Sequence, residues 1–242
     1  MDFEITLVIP VFNEAPGIAG LVGSLNDYFS GEKFSAEVLF VDDGSADGSS
    51  DLLKKENHAA YTARLIRLAG NRGSHAAIRA GIYHARGKYT VCLPADLQDP
   101  LELAGKLRDK CREGYETAFA ARNSLPGRSI GTKVYAWLVR RLIYRDFPEN
   151  GFDVVMFDAN VREKLNRDIR RHASLFLQIL SMPVKKTFIR YDKVNRKTGG
   201  SKWTFSKKIR LAVDSFFPSK VSAKPEEVFP VAEISDMKRP EA

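Results

Sequence analysis

Residues 5–14 read ITLVIPVFNE and residues 37–45 read EVLFVDDGS, and these two stretches decide the fold. Each opens with a short apolar run and closes on polar or acidic side chains, which is typical of a buried strand followed by a functional loop. Runs of this kind alternate with helical patterns along the chain. The alternation predicts an α/β fold in which helices flank a mostly parallel central sheet.

The pattern predicts a strand–helix alternation over the first half of the chain. The predicted strands are residues 5–11, 37–41, 64–68, 88–93 and 117–121, and the predicted helices are residues 15–29, 49–57, 74–85 and 100–113. Beyond residue 122 we expect a helix, a strand, a long helical stretch and a final strand, at residues 130–144, 152–157, 161–180 and 187–191.

The last part of the chain changes character. Residues 204–217 place apolar side chains three and four positions apart, which predicts an amphipathic helix. These side chains are Phe205, Ile209, Val213 and Phe216. Residues 218–242 contain several prolines and mixed charges, so they are expected to form a loose C-terminal tail.

Composition indicates a globular protein of the cytoplasm. Apolar residues make up 44% and charged residues 28% of the 242 positions, which suits one sizeable domain with a small appendage. Cys92 and Cys111 are too few for a disulfide framework and lack the spacing of metal ligands. The acidic first residues argue against a signal peptide. Since no apolar run approaches the roughly 20 residues of a membrane span, any membrane contact is expected to be peripheral or to lie outside this sequence.

The net charge of +8 is concentrated in one segment. Residues 185–210 contain ten lysines and arginines and one acid, Asp192. Such a strip favours phosphate groups or an anionic surface as a partner, and a solvated helix face is the alternative.

Polar side chains follow three of the predicted strands. Asn13 and Glu14 follow the first, Asp42 and Asp43 follow the second, and residues 96–99 (DLQD) follow the fourth. Because ligands of such sheets bind beyond the carboxyl ends of the strands, these side chains are expected to line one crevice. Carboxylates suit the base, the ribose and the divalent cation of a nucleotide sugar. Taken alone, residues 42–45 are also typical of a simple turn.

Five motifs stand in the order that they have in family 2 glycosyltransferases, and the chain resembles that family. They are residues 10–14 (PVFNE), 41–45 (VDDGS), 71–73 (NRG), 76–81 (AAIRAG) and 95–100 (ADLQDP). Residues 196–203 (RKTGGSKW) resemble a late motif of the dolichol- and polyprenyl-phosphate sugar synthases, which include bactoprenol glucosyltransferases. The resemblance covers about residues 3–217. It implies a GT-A glycosyltransferase domain over residues 1–203. The amphipathic pattern of residues 204–217 favours a helix at the membrane interface, and packing of its apolar stripe on the protein's own sheet is the alternative.

The resemblance also implies the residues of the donor site. Those that would hold the nucleotide sugar are Pro10, Phe12, Glu14, Val41, Asp43, Ala95, Asp96 and Gln98. Asp96 would be catalytic and, with Gln98, would hold a Mg²⁺ or Mn²⁺ cofactor at the diphosphate. Pro94 stands where much of the family has the first acid of an Asp-x-Asp motif, and proline has no side-chain ligand for a cation. Asp99 is a possible substitute.

A second group of residues is implied for phosphate binding and transfer. Arg122 would lie near the donor or acceptor phosphates, and Asp153 would lie near the reaction centre. Arg196, Ser201 and Lys202 would close over the phosphates, including that of a lipid.

The resemblance therefore implies an inverting hexosyltransferase of cell-envelope polysaccharide synthesis. It would move a sugar from a nucleotide diphosphate to a polyprenyl phosphate at the cytoplasmic face of a membrane, to which it binds peripherally. A phosphate acceptor is already ionised, so positioning and charge stabilisation would do most of the catalysis. The alternatives are transfer to a polysaccharide hydroxyl, with Asp153 as the base, and a non-catalytic nucleotide-sugar-binding protein. No nucleic-acid partner is expected, and the motifs specify neither the sugar, the base nor the oligomeric state.

Overall fold

A computed structural model describes residues 3–123, 130–169, 174–193 and 223–237. Within these ranges one sheet contains eight strands. They are β1 (Phe3–Val11), β2 (Ala36–Asp42), β3 (Thr62–Leu68), β4 (Gly87–Cys92), β5 (Thr117–Arg122), β6 (Phe152–Asp158), β7 (Lys186–Tyr191) and β8 (Val231–Met237). Their order across the sheet is β7-β5-β6-β4-β1-β2-β3-β8.

Most of these strands run in one direction. β1 pairs in parallel with β2 and β4, β2 with β3, and β5 with β7. β6 is antiparallel to both of its neighbours, β4 and β5, and β8 is antiparallel to β3. The predicted mostly parallel α/β sheet is confirmed, and the strands predicted for it begin and end within two residues of the observed bounds.

Helices cover both faces of the sheet. A short 3-10 turn at Ala15–Gly17 precedes the first helix. The helices are α1 (Ile18–Ser30), α2 (Ser49–Lys55), α3 (Ser74–His84), α4 (Glu102–Arg112), α5 (Ile130–Leu142), α6 (Ala159–Arg167), α7 (Leu175–Ser181) and α8 (Pro225–Val228). α1 and α4 pack into one apolar core, and α3, α6 and α7 pack into the other. In the described part of the chain, every helix is too short or too polar to span a bilayer.

The long helical stretch predicted for residues 161–180 is wrong, because two helices occupy it. Asp158 caps the start of α6 by accepting a hydrogen bond from the N–H of Val161, at 2.9 Å. Ser174 caps the start of α7 by accepting one from the N–H of Leu177, at 3.4 Å. Each cap satisfies N–H groups that a helix start leaves unpaired, so both boundaries are stabilised locally.

The prediction of a loose tail is wrong for residues 225–237, which form α8 and β8. Pro225 lies in the first turn of α8, where a missing N–H costs little. Pro230 precedes β8 and accepts a hydrogen bond from the N–H of Ala69 at 2.8 Å. Between them, Phe229 is only 2% exposed and lies beside Tyr83, with 5.7 Å between ring centroids. The prolines therefore mark element boundaries, and β8 covers the edge of β3 that would otherwise stay unpaired.

Two glycines let neighbouring segments of the chain approach closely. A Cβ atom added to Gly81 of α3 would lie 2.3 Å from the Val8 side chain, so α3 lies directly against β1. Gly44 has φ +73°, and a Cβ there would lie 2.7 Å from the carbonyl carbon of Gly70. The loop after β2 is therefore in backbone contact with the loop after β3, and this contact explains the glycine of residues 42–45.

The Phe229→Ala variant tests whether the C-terminal segment is part of the folded core. Because Phe229 is buried, we expect the free energy of unfolding to fall by about 3 kcal/mol or more. Urea unfolding followed by circular dichroism measures the loss. Ile234→Ala on β8 is the control: that side chain is 45% exposed, so its loss should stay below about 1 kcal/mol. A stability unchanged by Phe229→Ala would mean that the segment does not contribute to the fold.

The Gly44→Ala and Gly48→Ala variants separate backbone strain from close packing. Both glycines have positive φ, which costs an alanine about 1–2 kcal/mol. A Cβ at Gly48 would meet nothing within 4 Å, whereas one at Gly44 would meet backbone atoms of Gly70 and Asn71. We expect Gly44→Ala to lower the free energy of unfolding clearly more than Gly48→Ala. Equal losses in urea unfolding would show that the contact between the two loops carries no energy.

Candidate active site

The polar residues predicted at strand ends do lie along one edge of the sheet. The loops after β1, β2, β4 and β5 all leave from that edge, because these strands run in the same direction. β6 runs the other way, so Asp153, near its start, lies at the same edge. The edge therefore brings together Asn13, Asp43, Asp96, Arg122 and Asp153.

The loop after β1 is fixed by the loop after β2. The N–H of Asn13 donates to the hydroxyl of Ser45 at 2.9 Å, and the Asn13 side-chain oxygen accepts from the N–H of Ala46 at 3.0 Å. The N–H of Glu14 donates to the hydroxyl of Ser49 at 3.0 Å. These bonds are the reason that Asn13 can hold its unusual φ of +52°, and they leave the side chains of Pro10, Phe12 and Glu14 partly exposed.

Asp42 and Asp43 have different surroundings although they are adjacent. Asp42 is fully buried, where it accepts from the N–H of Ser45 at 2.8 Å and from the Ser50 hydroxyl. Asp43 is 3% exposed and accepts from the N–H groups of Arg72 and Gly73, at 2.6 and 2.8 Å. Burial raises the pKa of Asp43, and the two N–H groups oppose this shift. Asp42 thus stabilises the turn after β2, and Asp43 connects that turn to the loop after β3.

Not every predicted donor residue offers its side chain to a ligand. Val41 is fully buried, next to Gly81, so its side chain belongs to the core. It pairs in register with Pro10 of β1, which places both backbones side by side at the edge. Each Asp43 oxygen accepts one backbone N–H and has a second lone pair that can accept from a ligand.

Asp96 and Gln98 are tied to each other in the loop after β4. The backbone N–H of Gln98 donates to one Asp96 oxygen at 3.2 Å, and its side-chain amide donates to the other at 3.0 Å. Leu97 between them has φ +53°, so the loop turns sharply. Asp96 and the neighbouring Ala95 are partly exposed. Asp96 is therefore the carboxylate that this loop presents at the sheet edge.

The site suits a hard cation only if the ligand supplies most of the oxygens. Among the described residues, no three His, Cys, Asp or Glu side chains are grouped as metal ligands. Mg²⁺ in proteins is commonly held by one or two carboxylates together with substrate phosphates. The single carboxylate of Asp96 fits that arrangement, and Gln98 offers a side-chain oxygen beside it.

Asp99 does not replace the acid that Pro94 removes. It is 3% exposed and accepts hydrogen bonds from the Tyr191 hydroxyl and from Lys193 Nζ, the latter at 3.3 Å. Burial raises the pKa of Asp99, which these hydrogen bonds and the Lys193 charge oppose. Both oxygens of Asp99 thus accept hydrogen bonds from Tyr191 at the end of β7 and from Lys193 after it. The hypothesis that Asp99 is a substitute metal ligand is therefore not supported.

Arg122 and Asp153 form a two-point ion pair at the ends of β5 and β6. Arg122 Nη2 donates to Asp153 Oδ1 at 2.8 Å, and Arg122 Nε lies 2.8 Å from Asp153 Oδ2. Both side chains are 22% exposed, so solvent or a ligand can reach them. The structure therefore brings together the predicted phosphate-binding arginine and the predicted reaction-centre acid.

Sequence analysis missed two residues of this region, Tyr191 and Lys193. Tyr191 ends β7, and Lys193 follows it, so the rule that strand ends carry functional side chains applied to them as well. Arg196, Ser201, Lys202 and the predicted helix at 204–217 lie outside the described residues.

Comparison with known proteins agrees with this geometry. Residues 6–197 match the model of the family described as glycosyl transferase family 2. An uncharacterized glycosyltransferase of Synechocystis is 30% identical over 224 residues, which cover 90% of this chain and 70% of that protein. An undecaprenyl-phosphate 4-deoxy-4-formamido-L-arabinose transferase of Salmonella choleraesuis is 30% identical over 87% of this chain and 66% of its own length.

A solved structure shares the fold at low identity. The glucosyl-3-phosphoglycerate synthase of Mycobacterium tuberculosis, in complex with Mn²⁺, uridine diphosphate and glucosyl-3-phosphoglycerate, has a TM-score of 0.59 and 14% identity. The similarity covers 88% of this chain and 77% of that one. From its family match and from its strand-end geometry, the chain belongs to glycosyltransferase family 2 and is a nucleotide-sugar-dependent glycosyltransferase.

Proposed function

We propose that this glycosyltransferase moves a sugar from a nucleoside diphosphate to a polyprenyl phosphate, with inversion at the anomeric carbon. The observation that carries the proposal is the position of Arg122 at the end of β5, where its side chain is partly exposed on the same sheet edge as Asp96. A guanidinium there suits a second phosphate group, in addition to the diphosphate expected at Asp96. The undecaprenyl-phosphate transferase of Salmonella supports a lipid-phosphate acceptor.

The donor would lie across the loops after β1, β2 and β4. Pro10, Phe12, Glu14 and Asp43 would contact the base and ribose, and Asp96 would lie at the diphosphate. A Mg²⁺ or Mn²⁺ ion held by Asp96 and the diphosphate would offset the charge that develops on the leaving group. The mycobacterial neighbour, which is in complex with Mn²⁺ and uridine diphosphate, supports this assignment.

The transfer needs little help from a base. An oxygen of the acceptor phosphate, largely ionised at neutral pH because its second pKa is about 6, attacks the anomeric carbon. The bond between that carbon and the diphosphate oxygen breaks, and its electron pair leaves with the nucleoside diphosphate. Arg122, itself held in place by Asp153, would orient the acceptor phosphate, so that most of the rate comes from positioning.

Transfer to a sugar hydroxyl is the weaker alternative. It would require Asp153 to accept a proton, yet both Asp153 oxygens are already engaged by Arg122 and Lys193. We also propose peripheral binding to the inner face of the membrane, through the basic strip of residues 185–210 and the helix that the sequence predicts at 204–217. The strip would place the active site next to anionic headgroups.

A transfer assay tests the proposed function. The chain is incubated with radiolabelled nucleotide sugars, Mn²⁺ and a short polyprenyl phosphate, and the label is recovered by extraction into organic solvent. We expect label in the organic phase only when the lipid phosphate is present. Label that is released only as water-soluble sugar, with none in the organic phase, would contradict the lipid acceptor, and the absence of any turnover would favour a non-catalytic binder.

Substitution of Asp96 tests the diphosphate site in the same assay. We expect Asp96→Asn to lower the transfer rate by on the order of 100-fold or more, because a main electrostatic stabiliser of the leaving group is lost. Stability should hardly change, since Asp96 is partly exposed. Asp109→Asn on α4 removes the same charge from a side chain that is 61% exposed, and it should leave the rate unchanged. A nearly unaltered rate for Asp96→Asn at saturating Mn²⁺ rules out this role.

A further inference from the structure

Four charged side chains and one hydroxyl form a cluster where β5 and β7 end and β6 begins, which we call the strand-end cluster. Its members are Asp99, Arg122, Asp153, Tyr191 and Lys193. Two carboxylates and two cations make its formal net charge zero. Asp99 is 3% exposed, and the side chains of Arg122, Asp153 and Lys193 are 22%, 22% and 26% exposed. The cluster thus has a buried acid at its base and a solvent-accessible upper side.

Lys193 bridges the two acids. Its Nζ lies 3.3 Å from Asp99 Oδ2 and 3.1 Å from Asp153 Oδ2. The Tyr191 hydroxyl also lies between the acids, since it donates to Asp99 and its oxygen is 3.2 Å from Asp153 Oδ2. Desolvation, with the two acids, raises the pKa of Tyr191, so the hydroxyl stays protonated and remains a donor.

Arg122 contacts only one of the acids in this cluster. It donates to Asp153 Oδ1 through Nη2, its Nε lies 2.8 Å from Asp153 Oδ2, and a guanidinium carries five N–H donors in total. The geometry therefore leaves some N–H donors of the guanidinium for another ligand. This ligand can bind only if the charge of Arg122 is not fully neutralised by the two carboxylates. Without Lys193, one guanidinium would face two carboxylates at the same strand ends, and an incoming phosphate would meet a net negative cluster.

We propose that Lys193 is a positioning residue that neutralises the Asp99–Asp153 pair and so keeps Arg122 available to bind a phosphate group. The inference rests on the proposed function in that it takes a phosphate as the ligand of Arg122. That phosphate belongs either to the nucleoside diphosphate or to the lipid-type acceptor, and the chemistry of recognition is the same for both. Lys193 acts through charge balance and does not itself contact the phosphate.

Binding measurements on the full chain test this inference without turnover. Isothermal titration calorimetry with farnesyl phosphate measures binding of an acceptor-type phosphate, and titration with uridine or guanosine diphosphate measures binding of the donor-type phosphate. We expect Lys193→Met to weaken binding of at least one of these probes about tenfold or more. The probe that responds identifies the source of the phosphate. Lys193→Arg should restore most of the affinity, because it restores the charge.

The second variant separates charge balance from direct contact. Adding Asp99→Asn to Lys193→Met returns the cluster to zero net charge, so the affinity should recover to within about threefold. Asp99→Asn alone should bind the responding phosphate more tightly than the unmodified chain. If Lys193 instead touched the phosphate, the double variant would stay as weak as Lys193→Met, and that result would overturn the inference.

Controls for fold and for overall charge complete the experiment. Lys88→Met removes an exposed lysine at the start of β4, at the opposite edge of the sheet, and should leave every affinity unchanged. Melting temperatures of all variants identify any loss that is due to unfolding, and for such a variant Lys193→Gln takes the place of Lys193→Met. Unchanged affinity in the lysine variants, or no binding of any probe by the unmodified chain, overturns the inference. Absence of lipid-linked product in the transfer assay, with the binding pattern intact, would instead reject the proposed function alone.

Discussion

Parallel pairing of the strands is the constraint from which the site follows. Because β2, β1 and β4 hydrogen-bond side by side in one direction, their carboxyl ends must lie along one edge of the sheet. The loops that leave this edge are then held only a few ångströms apart, close enough for the hydroxyl of Ser45 to accept from the N–H of Asn13. Asp99 and Lys193, which are 94 positions apart in the sequence, become neighbours at this edge.

The reversed strand β6 completes this arrangement. It is inserted between β4 and β5 and runs against both, so its first residues, and not its last, lie at the edge of the site. That reversal places Asp153 beside Arg122 of β5. A parallel strand in the same position would have taken Asp153 to the far side of the sheet. The ion pair thus depends on strand direction as much as on residue identity.

Charge within the site is balanced locally. Asp42 and Asp43 are compensated mainly by backbone N–H groups and hydroxyls, because they lie in turns where such donors are left over. Asp99 and Asp153 are compensated by the side chains of Arg122, Tyr191 and Lys193. The backbone and hydroxyl donors around Asp42 and Asp43 are rigid and keep the loops in place. The donors around Asp99 and Asp153 are mostly long, partly exposed side chains, and a phosphate can compete with these acids for them.

The sequence by itself determined the strands β1 to β7, most of the helices and the common edge, because apolar periodicity and the polar residues that end each run are local signals. It also placed Asn13, Asp43, Asp96 and Asp153 near strand ends. The docking of β8 on β3 and the burial of Asp99 were decided only by tertiary structure. Edge strands pair through backbone atoms, which leave little trace in side-chain pattern. Which side chain partners which charge depends on distances between strands remote in sequence, and no local pattern encodes those distances.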